Sequence, residues 1–454
     1  MGDTCAVLDW AKSGGMALTG CPDGFPLVSP ASAFALLNQV TAQLARVTAE
    51  GGASVRADPA ELIVGRAALT GFSRGGQISA GGSGFLLRAA DGWCAVTLSR
   101  PDDIAAVPAI AGLLSLAETG PGEIATFTEA HRALEAMALS TPAEDLAAAA
   151  QQLGVPAGTL PAGHQLHPHS ADGPQAAAVS WPQGRATRIA APLPGAGLVG
   201  ALVADLSSMW SGPLCARLLG LAGAEVVKVE SPGRPDGARS GNREFYDWLH
   251  IGHRSLSVDF GTRAGHSVLA ELLAAADVVI EASRPRALAA LGLAPEMIPH
   301  RSGQVWLSIT GYGRAAPSLV AFGDDAAVAG GLVGWAAAGS ASEPVFCADA
   351  IADPLTGVCG ALAVACSRLA GGGELIDLAL RDVSAAFAAA AEAGPGHSPH
   401  DVLPNGSVAC PLLHRAQAIR PPRRPASLAS THAAAQGADT SAVLAWLTGR
   451  PAAC

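Results

Sequence analysis

The chain has 454 residues, half of them hydrophobic and only 4% aromatic, so Ala, Val and Leu build its interior with 54 Gly and 32 Pro. The formal net charge is −10 and no basic stripe appears, which argues against a nucleic-acid partner and leaves an anionic ligand only where cations gather locally. Charged residues are 15%, below the usual quarter, which points to a surface partly covered by another subunit or domain. Nine scattered cysteines without a CxxC pair fit a reduced, cytoplasmic chain. No apolar run reaches membrane-spanning length, and Met1–Cys5 does not open a signal peptide.

In chain order, residues 1–165 alternate helical and strand-like segments. Residues 166–192 form a polar linker rich in Pro, His and Gly. His164, His167 and His169 gather at its start, but no Cys or carboxylate completes a ligand set, so they read as solvated. Beyond it the alternation becomes regular. Leu198–Leu206 is a buried-strand run, Ser207-Ser208 cap a helix over Pro213–Ala222, and Glu225–Glu230 is the next strand. A second unit follows: strand Arg254–Asp259, helix Arg263–Ala275, strand Asp277–Glu281. Gln304–Thr310 and Gly371–Leu380 add two more strands. This pattern predicts an α/β fold with a doubly wound, Rossmann-like parallel sheet. Gly195–Gly200 matches G-x-G-x-x-G, yet it leads into a strand rather than opening a helix, and Glu230 lacks the phosphate loop that would make it a ribose acid.

Three features carry chemistry. In Ala352-Asp353-Pro354-Leu355-Thr356-Gly357 a carboxylate stands at the mouth of a helix. Asp before Pro is an ordinary N-cap, but a helix N-terminus also favours the ionised, nucleophilic form. Arg284-Pro285-Arg286 follow a strand at its carboxyl end, where open α/β sheets bind ligands, and two guanidinium groups suit a phosphate. Asp324-Asp325 read as a solvated turn or helix cap, with a second carboxylate near the site as the alternative. The chain also repeats itself: Leu8–Gly20 can be laid on Val328–Gly339, and Phe25–Gln39 on the stretch around Pro344–Gly357, at an offset of roughly 319 residues. In that alignment Asp353 faces Ala35, so the N-terminal copy lacks the carboxylate.

Together these residues resemble the family III (CaiB/BaiF-type) coenzyme A transferases. The family opening is matched by Asp205–Ser207, Gly212-Pro213 and Gly223–Glu230, continued by Pro232-Gly233, Asp236 and Arg239. Arg254-Ser255 with Asp259, Ala276–Glu281 with Arg284-Pro285, Leu291–Leu293 and Ser308–Gly313 follow in family order. Ile351–Gly357 matches the catalytic segment. The resemblance implies Asp353 as nucleophile. It implies coenzyme A contacts from Ser208, Met209, Trp210, Ser211, Arg254, Arg284 and Arg286. Asp324, Asp325, Gly81 and Gly82 stand in support, with Gly81–Gly84 as a candidate oxyanion loop. Ala282-Ser283 and Ser231 depart from family residues that touch coenzyme A.

The resemblance also implies an unusual domain order. Residues 1–70 read as a partial, catalytically empty large-domain fragment and 71–165 as a smaller α/β domain. Residues 193–395 read as the large domain with the nucleophile, and 396–454 as a tail closing it. Family members carry the small domain inside the large one, so an interlocked arrangement is left open, as a homodimer or as a pseudo-dimer within one chain. The implied partners are an acyl-CoA and a carboxylic acid, with no nucleic acid, no membrane, no metal and no cofactor beyond coenzyme A as substrate. Two other readings remain: an acyl-CoA racemase or isomerase with Asp353 as base, and a non-catalytic coenzyme A-binding paralogue.

Overall fold

Helix-forming segments with one apolar face open the chain. In α1 (Ala6–Ser13), Val7, Leu8, Trp10 and Ala11 point inward, and Gly14 ends it in the left-handed region at φ 92°. Then come α2 (Ala31–Glu50) and α3 (Pro59–Thr70); Asp58 caps α3 by accepting from the Ala60 N–H, with Pro59 in its first turn. The computed structural model describes residues 5–115, 124, 126–162, 184–338, 341–393, 402–411, 413–426 and 431–448. The His164, His167 and His169 group lies outside them.

A three-stranded antiparallel sheet follows, ordered β1-β2-β3. It consists of β1 (Gly84–Arg88), β2 (Trp93–Thr97) and β3 (Ala157–Thr159). Among the described residues, four helices, α4 (Pro101–Ala105), α5 (Val107–Leu113), α6 (Phe127–Ala138) and α7 (Ala143–Gln152), separate β2 from β3. Phe85, Leu87, Val96, Ile110, Leu134 and Leu146 form its own core.

The main sheet has seven strands: β4 (Arg185–Arg188), β5 (Leu202–Asp205), β6 (Glu225–Glu230), β7 (Arg254–Ser257), β8 (Val278–Glu281), β9 (Val305–Thr310) and, further along the chain, β12 (Glu374–Ala379). Their spatial order is β4-β12-β9-β8-β5-β6-β7. All neighbours pair parallel except β4, which runs antiparallel to β12 at the edge. The end of the presumed linker 166–192 is therefore an edge strand. From β5 the chain builds outward through β6 and β7, then returns to β8 on the other side, so the strand order reverses between β5 and β8. Helices α8 (Ser211–Leu221), α9 (Arg243–His250), α10 (Arg263–Ala275), α11 (Pro285–Ala290) and α12 (Gly323–Ala329) lie between these strands. The hairpin β10 (Gly334–Ala338) and β11 (Ala341–Val345), then α13 (Ala352–Leu369), precede β12. After β12 come α14 (Leu380–Ala393), the hairpin β13 (Ser407–Cys410) and β14 (Arg415–Ala418), and α15 (Thr440–Thr448).

Near-continuous Val, Ile and Leu in the parallel strands demand cover on both faces. Val203, Ile280, Leu307 and Ile376 face one core, shared with α8, α13 and the N-terminal helices through Leu37, Val40, Leu44 and Ile63. Ala204, Val229, Val279 and Trp306 face the other, filled by Leu269, Leu272 and Leu273 of α10 and Val443 of α15. Helix α2 packs on α13, and their last residues, Glu50 and Leu369, are 369 − 50 = 319 positions apart in the chain. That register sets Phe34, rather than Ala35, opposite Asp353; neither is a carboxylate. The tail serves both parts. The Arg420 N–H donates to the Ala11 carbonyl at 2.9 Å, and the Asp439 carboxylate accepts from the Ser255 N–H at 2.8 Å.

Candidate active site

The loop leaving β5 is held from below by buried charge. Lys228 on β6 is 1% exposed and lies 2.8 Å from Asp236 and 3.8 Å from Asp205. Asp236 in turn accepts from the Met209 N–H at 3.0 Å, which fixes Met209 in a left-handed conformation at φ 74°. Ser207 does not cap α8. Its hydroxyl turns back to Asp205, and the residue before the helix is Trp210, with no side-chain cap. Glu230 is not a free ribose acid either: Arg239 donates to both of its oxygens, to Oε1 at 2.8 Å and to Oε2 at 2.6 Å.

At the start of α13 the expected N-cap role of Asp353 is overturned. The helix begins at Ala352 after Ile351, with no side-chain cap, so Asp353 lies within the first turn. Its carboxylate is directed at α12 instead. A Cβ on Gly323 would stand 2.5 Å from Asp353 Oδ2 and 2.4 Å from the Ala350 carbonyl oxygen, so glycine alone fits there. Burial pushes the Asp353 pKa up to about 7. Arg66 opposes the rise, Asp324 and Asp349 add to it, and the Gly323 backbone N–H favours the charge.

Two more carboxylates complete the group. Asp324 is 8% exposed, accepts from the Ala350 N–H at 3.1 Å, and is raised to about 6 by burial and by Asp349, against Arg66. Asp349 is fully buried, and neither of its oxygens has a hydrogen-bond partner among the described residues. Arg66 Nη2 lies 3.5 Å from its Oδ1. The turn carrying it is strained: Ala348 and Ala350 sit at φ 53° and 41°. The Ala348 N–H donating to Thr19 Oγ1 at 3.0 Å helps to hold it. Asp325 belongs elsewhere. Its Oδ1 accepts from Thr97 Oγ1 at 2.9 Å and from the Phe322 N–H at 3.0 Å, tying α12 to the small sheet, and burial raises its pKa to about 8. Neither Asp324 nor Asp325 is in a solvated turn, but the helix-cap alternative holds in part for Asp325, whose carboxylate accepts from the N-cap Phe322 N–H.

A cavity of ≈ 910 Å³ opens beside α12, lined among others by Arg284, Arg286, Arg381, Tyr312, Gln151 and Gly154. Burial and the neighbouring guanidinium groups of Arg286, Arg100 and Arg234 lower the Arg284 pKa. Asp353 does not line this cavity; Ala329, at the far end of α12 from Gly323, does.

Of the residues expected from the sequence, the fold brings Asp353 and Asp324 together and sets Trp210 beside Arg66, 5.1 Å from ring to guanidinium. Ser208 and Met209 are exposed on the β5–α8 loop, while Trp210 and Ser211 are buried, with no hydrogen-bond partner for Trp210 Nε1 or Ser211 Oγ among the described residues. Arg254 is not brought in. It starts β7 at the amino end of the sheet and pairs with Glu225 at 3.4 Å. The Gly81–Gly84 loop does approach, since a Cβ on Gly81 would lie 3.2 Å from Arg66 Nη2. Its oxyanion role is weakened: the Gly82 N–H donates to the Ser79 carbonyl at 2.8 Å and the Gly84 N–H to Ser79 Oγ at 2.9 Å. Sequence reasoning missed Arg66 and Asp349. Arg66 is the lone charge in the latter part of an apolar helix, and Asp349 precedes Asp353 by one helical repeat; those were the available signals.

Residues 198–409 match the family model described as CoA-transferase family III. Succinate--glutarate CoA-transferase of Agrobacterium fabrum is 29% identical over 241 residues, 46% of this chain and 60% of that protein. Succinyl-CoA:glutarate CoA-transferase of Homo sapiens is 34% identical over 140 residues, 28% of this chain and 31% of that protein. The chain thus spans less than two thirds of the length of these relatives. A CAIB/BAIF family protein from Brucella suis, a solved structure, is 28% identical with a TM-score of 0.37, covering 43% of this chain and 55% of its own.

Proposed function

We propose, for a chain whose residues 198–409 are a CoA-transferase family III segment, that it moves coenzyme A from an acyl-CoA to a carboxylic acid through Asp353. The observation that carries this reading is the Asp353 carboxyl, seated against Gly323 with a pKa near neutrality. A carboxylate is a poor nucleophile in water, but here part of its hydration is replaced by protein while a helix N-terminus and a guanidinium favour its charge. Its oxygen attacks the thioester carbonyl; the C–S bond breaks and coenzyme A leaves as thiolate, giving a mixed anhydride. The thiolate then attacks the aspartyl carbonyl and releases the donor carboxylate. The acceptor carboxylate attacks the aspartyl thioester, the thiolate leaves again, and its attack on the new acyl carbonyl restores Asp353. The arginine-lined cavity supports a place for the phosphates, and the strand order supports the doubly wound reading of the sheet.

Mass spectrometry after incubation with acyl-CoAs tests this, beginning with succinyl-CoA because relatives are named for it. A coenzyme A adduct on the Asp353 peptide is expected, absent in Asp353→Asn. Deuterium wash-in at the α-carbon without any adduct would favour a racemase. Coenzyme A binding with neither would favour a non-catalytic paralogue.

A further inference from the structure

Four segments far apart in the chain meet at one side chain. Arg66 projects from α3; its guanidinium lies 5.1 Å from the Trp210 ring, 5.5 Å from Phe72 and 5.8 Å from Phe245. Its Nη2 reaches 3.5 Å from Asp349 Oδ1 and borders Gly81. Three aromatic faces hold the cation in place, and none can neutralise it. Three carboxyls, Asp324, Asp349 and Asp353, feel this one guanidinium. Three neighbouring carboxylates cannot all ionise without it. The other groups facing them are the Ser79 hydroxyl, the Gly323 and Ala350 N–H groups and, one step away, Asp325.

We propose that Arg66, supplied by the N-terminal helices, is the positioning cation of the site: it sets the charge against which Asp353 works and clamps the Trp210 and Gly81 loops beside it. The inference rests on the Asp353 reading for its consequence in transfer, but its electrostatic part stands apart. Lys can keep the charge but neither the planar fork nor the stacking.

Infrared titration of the unliganded protein reads the protonated carboxyl of Asp353, assigned by its loss in Asp353→Asn. In Arg66→Gln the midpoint is expected to rise by about one pH unit, and in Arg66→Lys to return most of the way, which a purely structural role would not produce. An unmoved midpoint in folded Arg66→Gln overturns the proposal. Should that variant not fold, Asp349→Asn reads the same coupling from the other side: freed of one competitor, Arg66 lowers the Asp353 midpoint by about one unit, and no change is again a refutation. Expected shifts in a wild type that forms no adduct would leave Arg66 in its role and remove the transferase reading alone.

Discussion

The burial of Asp353 carries a structural cost. Its pKa of about 7 lies above the ordinary 3.8, so the folded chain holds a proton that the unfolded chain has lost between those values. Stability therefore falls as pH rises through that window and levels off above it, with Asp324, raised to about 6, adding to the slope. Adduct formation should run the other way, rising with pH to a plateau above about 7, because only the carboxylate attacks. Asp353→Asn should abolish transfer and stabilise the fold near pH 8 by on the order of 1–2 kcal/mol, with little gain near pH 4. Urea unfolding at both pH values and a transfer assay check this; near wild-type transfer would sink the mechanism. Arg284→Ala should weaken coenzyme A binding about tenfold, ~1.4 kcal/mol, with turnover nearly kept, because a phosphate contact is equal in ground and transition states. Unchanged affinity in a binding titration would return Arg284 to a solvated turn. The Asp353 segment could be read in the sequence because Ala-Asp-x-x-Thr-Gly is local. Its capping role was misread because the carboxylate's partner, Gly323, stands 30 residues away.

At the scale of elements, the site depends on how closely α12 approaches α13. A methyl at Gly323 would collide with the Ala350 carbonyl and with the Asp353 carboxylate, at 2.4 and 2.5 Å. Gly323→Ala should therefore displace the Asp353 carboxylate, destabilise the protein by about 1–3 kcal/mol and cut transfer at least tenfold. Thermal unfolding and adduct yield measure the two effects. Wild-type yield would show that the cradle does not position the nucleophile. The α/β alternation could be read from periodicity, and α10 spans Arg263–Ala275 as expected. Strand β4 escaped because an exposed four-residue edge strand of Arg, Ala and Thr has no apolar pattern. The Ser207-Ser208 cap failed because buried Asp205 competes for the hydroxyl of Ser207.

For the whole molecule, residues 5–69 share a single hydrophobic core with the large sheet, through α2 against α13 and α1 against the β13–β14 hairpin. We expect one active site per chain, with this region completing it. A chain beginning near Ala191 would lose that cover, Arg66 and edge strand β4, and should be insoluble or inactive although it keeps Asp353. Full activity from such a chain, soluble at wild-type levels, would make the N-terminal region an appendage.

The sequence by itself determined most of the succession of strands and helices, the segment that matches the CoA-transferase family III model, the carboxylate and the basic pair after β8, because each rests on residues adjacent in the chain. Tertiary structure alone decided that Asp349 and Asp324 lie near Asp353, that Arg254 stands at the amino end of the sheet, and that Arg66 of α3 reaches Asp349 and favours the charge of Asp353. Those facts join residues up to 287 positions apart, as Arg66 and Asp353 are (353 − 66 = 287), and no local periodicity encodes which distant faces a folding chain will press together.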